Sequence, residues 1–226
     1  TNNESWFYHF QDLEAYGRVV HLQPMRWEND WPLMGEDFDK NGIGEPVTEY
    51  KKPNIGKSNP IETPVETDNF DGFGIGLQWQ WNANPKVVWH AKLPGNNYLR
   101  LFSIKAPEEV PNLWMIPNLL LQKFPAPNFT ASTKISLFPE KAETGKTAGI
   151  IVMGTDYATL SITHDKKGYI IKQTEAINAI NGSEEIINFE KRLNMSESVV
   201  TLIIDGTRTE TVVDKNAIQI TSYRFI

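Results

Sequence analysis

The chain has 226 residues, no cysteine, and a formal net charge of −6 from 28 acidic and 22 basic side chains. That length suits one large β domain, or one domain with a smaller companion, and buries a substantial core without staples. The negative balance argues against a nucleic-acid partner, the missing cysteine excludes disulfides, thiolate metal sites and a cysteine nucleophile, and no run approaches the ~20 apolar residues that would cross a bilayer as a helix.

Residues 1–34 open with an aromatic-rich segment, Trp6–Phe10, and a β-branched one, Val19–Leu22, joined by a polar loop ending at Gly17. This pattern predicts two β-strands. A lone hairpin is marginal in water, so it should belong to something larger. Residues 35–67 are rich in Gly, Pro, Asn and Glu without a sustained apolar period, and Pro46, Pro53, Pro60 and Pro64 keep them extended. They read as a linker and domain boundary.

From residue 68 to residue 226 short apolar segments alternate with turn residues. Strands are expected at Gly76–Trp81, Val87–Ala91, Tyr98–Ser103, Leu119–Lys123, Phe129–Phe138, Ala148–Met153, Ala158–His164, Tyr169–Thr174, Val199–Ile204 and Glu210–Val213. Turns are expected at Pro94–Asn97, Asn181-Gly182 and Asp205-Gly206. Leu113–Leu121 is apolar enough for a helix, but Pro117 at its centre argues against one. Many short strands at regular spacing predict an all-β, antiparallel β-sandwich.

Two stretches carry a family resemblance. GRVVHLQPMRW (residues 17–27) followed by DWPLMG (30–35) resembles the last blade of the five-bladed β-propeller of glycoside hydrolase family 43, the β-xylosidase and α-L-arabinofuranosidase group. DNFDGFGIGLQWQWNANP (68–85), PGNNYLRLF, FTASTKISLFP and AGIIVMGTDYATLSI resemble the concanavalin A-like domain, a jelly-roll sandwich, appended to many of those enzymes. The two occur in the family's order. The closing acidic-aromatic strand of that domain is not evident, and Ser222–Phe225 is its nearest substitute.

The resemblance implies a propeller remnant followed by a sandwich, in a protein that hydrolyses xylosyl or arabinosyl linkages of plant hemicellulose. The implied mechanism is inverting, with a general base and a general acid about 6.5–9.5 Å apart. No position here matches the family's catalytic carboxylates, so this chain alone should be inactive. The implied partners are plant-polysaccharide oligosaccharides and the missing propeller portion of the same protein, with no membrane partner. The implied location is periplasmic or extracellular. The alternative is a non-catalytic carbohydrate-binding module; a purely structural sandwich is a third reading.

Arg18, in a GR-x-x-x-x-QP pattern, matches the arginine that the family's final blade supplies to the substrate pocket. A guanidinium presents a planar fork of donors to hydroxyls or a carboxylate. The plainer reading is a structural ion pair. Trp79 and Trp81 are candidate sugar platforms and, like Trp89 and Trp114, equally candidates for core or interface packing. Asp37-x-Asp39-x-Asn41-Gly42 matches the start of a calcium loop, although a twelve-residue loop would put Thr48 where a bidentate acid belongs, with Glu45 the nearby substitute. The same residues also make a polar turn that caps its own backbone. No cofactor is otherwise expected. His9 and His21 lie on adjacent strands, where a metal or proton role competes with ordinary surface placement; His90 and His164 read as surface or loop groups.

Overall fold

A computed structural model describes residues 4–13, 17–126, 128–139, 144–193, 199–208 and 218–225. The chain divides into two compact units, Thr1–Pro64 and Val65–Ile226.

In the first unit β1 (Ser5–Asp12), β2 (Arg18–Glu28) and β3 (Trp31–Met34) form an antiparallel sheet in that order. Both expected strands are present and longer than predicted. The third strand stands where Trp31-Pro32 reads as a turn in the sequence. It forms at the sheet edge, where a missing N–H costs no ladder bond. Asn29 and Asp30 set it up: both have positive φ, 52° and 62°, across a two-residue hairpin loop between paired Glu28 and Trp31. That is type I′ geometry, whose twist matches the flanking strands.

Part of the expected linker is tied to this sheet. Glu36 and Glu45 exchange backbone hydrogen bonds of 3.0 and 2.8 Å. The Gln23 amide donates to Val47 O at 3.1 Å and accepts from Val47 N at 2.8 Å, standing in for a strand neighbour. The approach is close enough to require glycine. A Cβ on Gly35 (φ +82°) would lie 2.0 Å from Glu45 O, and one on Gly44 would lie 1.9 Å from Met34 O.

The second unit begins with four two-residue strands, β4 (Gln80–Trp81), β5 (His90–Ala91), β6 (Arg100–Leu101) and β7 (Leu120–Leu121), paired β4–β7 and β5–β6. They occupy the four expected segments but keep only a fraction of each. Trp79 N bonds Gly76 O at 3.1 Å, turning the chain before β4, and Val87–Trp89 is a 3-10 turn. Leu113–Met115 is likewise one 3-10 turn, not a helix, in keeping with Pro117.

The longer strands are β8 (Asn128–Ser136), β9 (Thr147–Met153), β10 (Tyr157–Asp165), β11 (Gly168–Ala176), β12 (Ile186–Arg192), β13 (Val199–Arg208) and β14 (Ile218–Phe225). They build two antiparallel sheets, β12-β11-β10-β9 and β14-β13-β8. Leu137, Val152, Leu160, Ile162, Ile171, Val200, Leu202 and Ile204 form one buried cluster contributed by both. A core between two sheets defines a sandwich. In β8 the burial alternates residue by residue, as its period-two sequence requires.

One expectation is corrected and one strand is new. Asp205-Gly206 is not a turn: it lies inside β13, at a register shift against β14. A glycine in a strand pattern marks a bulge as readily as a turn. β12 was missed because it is an edge strand exposed along its length, without the alternation that a buried face imposes. Ser222–Phe225 lies in β14, which pairs with β13. Glu210–Val213 lies outside the described residues.

Candidate carbohydrate-contacting residues

Arg18 starts β2 opposite Asp12, the last residue of β1. The loop between them is closed by Leu13 N donating to Gly17 O at 2.9 Å. The guanidinium lies 3.6 Å from the Asp12 carboxylate and 5.2 Å from the Phe10 ring centroid, with 66% of the side chain exposed. It is thus held loosely at a hairpin end, with its face on an aromatic ring and its edge toward solvent.

The rest of the GR-x-x-x-x-QP pattern is structural. Gln23 makes the Val47 pairing, and buried Pro24 accepts Gly35 N at 2.7 Å. Sequence reasoning passed over Arg26, which bonds Glu28 at 2.6 Å and Glu36 at 3.4 Å. The Glu28 hydrogen bond raises the Arg26 pKa, and a hydrogen bond to Glu36 raises that of Tyr50. Tyr50 packs edge-on against Trp6, with ring centroids 5.8 Å apart.

The Asp37–Gly42 loop spends its oxygens on its own backbone. Asn41 N donates to Asp37 Oδ1 at 3.0 Å and to Asp39 Oδ1 at 3.2 Å, Asn41 Nδ2 to Asp39 Oδ2 at 2.9 Å, and Gly42 N to Asp37 Oδ2 at 3.0 Å. Asn41 Oδ1 accepts Ile43 N at 2.7 Å. Every carboxylate oxygen of Asp37 and Asp39 is engaged, the arrangement of an Asx-type turn. Among the described residues no group of three or more His, Cys, Asp or Glu side chains is placed to hold a metal ion.

Trp79 and Trp81 are both half-buried, with different neighbours. Trp79 stacks on Phe70 at 5.8 Å, and its indole N–H donates to Asp68 Oδ2 at 2.8 Å. Asp68 also accepts Phe70 N at 2.7 Å and Gln78 Nε2 at 3.2 Å, which makes it the organiser of this loop. Trp81 packs at 5.5 Å against buried Trp89 and at 5.5 Å against His90. The Nδ1 of His90 is buried without a hydrogen-bond partner. Trp79 lies in the turn before β4 and Trp81 within the strand, so the two rings have separate surroundings.

The third group was not legible as a motif. Asn112, 6% exposed, donates through Nδ2 to Ala179 O at 2.9 Å and Ser183 O at 2.7 Å, and accepts Trp114 N at 2.9 Å. Tyr157, 3% exposed, accepts Leu113 N at 2.9 Å and donates to Glu185 Oε1 at 2.5 Å. Burial, then the Glu185 hydrogen bond, pushes the Tyr157 phenol well above its ordinary range. Trp114 Nε1 donates to Gly154 O at 2.9 Å. Together these bonds fasten the 112–116 segment to the ends of β10 and β11 and fix the half-buried ring of Trp114.

An antiparallel two-sheet sandwich and a three-stranded antiparallel sheet in the same chain make this an all-β protein. The family model of the β-xylosidase C-terminal concanavalin A-like domain matches residues 67–222, and the chain belongs to that family. It is 42% identical over 132 residues to a putative β-xylosidase of Xylanibacter ruminicola, a match covering 58% of this chain and 24% of that protein. It is 38% identical over 115 residues to a β-xylosidase of Formosa agariphila, covering 49% of this chain and 19% of that one. The chain therefore spans a quarter or less of the length of these relatives. Its fold is similar to that of an engineered family 43 glycoside hydrolase with both endo-xylanase and exo-arabinofuranosidase activity. That likeness has a TM-score of 0.69 at 20% identity, over 98% of this chain and 45% of the other. At that identity the likeness is one of fold alone.

Proposed function

We propose that this chain is the C-terminal portion of a family 43 glycosidase acting on xylosyl or arabinosyl linkages of plant hemicellulose. The observation carrying this is the family match over 67–222, together with relatives named β-xylosidase. Hydrolysis would be inverting: one carboxylate activates water, and another protonates the leaving oxygen about 6.5–9.5 Å away. Both groups belong to the propeller portion outside this chain, and a polysaccharide substrate places the protein in the periplasm or outside the cell. The reaction requires no cofactor. The Asp37–Asn41 loop serves as a self-capped turn, and calcium is its alternative role, read out as an EGTA-sensitive melting temperature.

Arg18 is the candidate contact to sugar hydroxyls or to a catalytic carboxylate. Its exposed guanidinium, held by a 3.6 Å ion pair to Asp12 and a contact with the Phe10 ring, supports that role. Trp79 and Trp81 are the candidate platforms of the second reading, a non-catalytic binding module. Their commitments to Asp68 and Trp89 favour a supporting role instead. The test is product chromatography after incubation with xylo- and arabinoxylo-oligosaccharides. The chain alone should release no pentose, and the longer protein containing it should release xylose or arabinose. Pentose release by the chain alone would refute the assignment of the carboxylates elsewhere. Oligosaccharide binding lost in Trp81→Ala without loss of fold would establish the binding module.

A further inference from the structure

Three features lie outside the proposed function: the buried, unpartnered Nδ1 of His90, the aromatic and basic residues around Trp6 and Tyr50, and the histidine pair of the first sheet. The pair carries furthest. His9 on β1 and His21 on β2 are direct cross-strand partners and therefore share one face of the sheet. Their ring centroids are 5.3 Å apart with planes inclined by 28°, and Phe7 stacks on His9 at 4.9 Å. Both side chains are half-buried. Neither imidazole has a hydrogen bond or ion pair among the described residues, and neither has a buried orphan nitrogen. Two imidazoles fixed in register, with no hydrogen bond or ion pair among the described residues, are a chelating donor set.

We propose that His9 and His21 form a two-imidazole clip for a borderline transition-metal ion, copper(II) in preference to nickel(II) or zinc(II). Imidazole suits these ions, and the preference follows their intrinsic affinity order. Hard ions such as calcium and magnesium want oxygen donors and should not compete. Metal–nitrogen bonds of about 2.0–2.1 Å need the nitrogens closer than stacked rings hold them. Rotation about the broad χ2 torsion of each ring is the motion that would bring them there. Water completes the coordination, since no third His, Cys, Asp or Glu joins the pair among the described residues. The bound ion would cross-link β1 to β2 and favour the folded hairpin by mass action.

The experiment is titration of the chain with copper(II), nickel(II) and zinc(II), followed by calorimetry and by copper electron paramagnetic resonance. One copper per chain is expected, with a two-nitrogen signature. Binding should be lost reversibly on acidification, because protons compete with the metal for the ring nitrogens. His9→Asn and His21→Asn should each weaken binding by more than the roughly 10–100-fold that loss of an outer-shell partner costs. His90→Asn and His164→Asn should leave it unchanged. Absence of stoichiometric binding, or binding insensitive to both His9 and His21, would overturn the proposal. Should a variant lose its fold, the pH reversal and the nitrogen count on the unmodified chain decide the matter.

Discussion

Asn112 makes three hydrogen bonds while only 6% exposed, and its replacement separates two effects that are usually confounded. Asn112→Ala strands the carbonyls of Ala179 and Ser183 and the N–H of Trp114. At a net value near 1 kcal/mol per neutral hydrogen bond, three of them amount to about 2–4 kcal/mol. For a chain of this size that corresponds to a fall of about 5–15 °C in the melting temperature. Asn112→Asp is the sharper test. A carboxylate still accepts Trp114 N, but it sets negative charge against the two carbonyl oxygens, 2.9 and 2.7 Å away, that now receive a donor. Aspartate should therefore be worse than alanine near pH 7 and should recover part of the loss once protonated below about pH 4. Scanning calorimetry of the three proteins at pH 7 and pH 4 gives the order directly. If Asn112→Asp matches or exceeds the stability of Asn112→Ala at pH 7, the amide is not donating to those carbonyls and the reasoning fails.

Leu202 is fully buried, so Leu202→Ala should cost about 2–5 kcal/mol, whereas exposed Ile186→Ala on edge strand β12 should stay within about 0.5 kcal/mol; urea denaturation checks both. Asp165 is held below its ordinary pKa chiefly by a bidentate hydrogen bond from Arg192 at 2.9 and 2.7 Å. A depressed carboxylate contributes stability above its unfolded pKa near 3.9 and loses it as pH falls through the lower folded value. The gap in melting temperature between the unsubstituted chain and Asp165→Asn should thus be complete at pH 7 and close below pH 4. Gly35→Ala combines a left-handed backbone with a Cβ 2.0 Å from Glu45 O, so it should break the 36–45 bridge. Hydrogen exchange should then show lost protection in residues 35–47 while β8–β13 remains protected.

What the sequence showed well was whatever repeats locally. The alternation of Asn128–Ser136 and the apolar runs at 148–153 and 158–164 identify strands because each residue's face follows from its neighbour's. Punctuation was less reliable. Asp205-Gly206 has the composition of a turn and the geometry of a bulge, and the choice lies with the partner strand. Asn29-Asp30 needed its two positive φ values to declare a hairpin.

The candidate sites divide in the same way. The sequence by itself determined that the chain is all-β and which family its motifs match. Arg18, Asp37, Asp39, Asn41, Trp79 and Trp81 were all visible as residue types that suit sugar or calcium. Only the tertiary structure decided what those residues do with their polar atoms. It turned the oxygens of Asp37 and Asp39 onto their own loop, tied Trp79 to Asp68, and set His9 against His21. It also joined Asn112 to Ser183 and Tyr157 to Glu185, pairs 71 and 28 positions apart in the chain. The physical reason is that a strand's periodicity is written in adjacent residues, whereas a buried amide or phenol takes whichever partner the packed sheets bring within 3 Å.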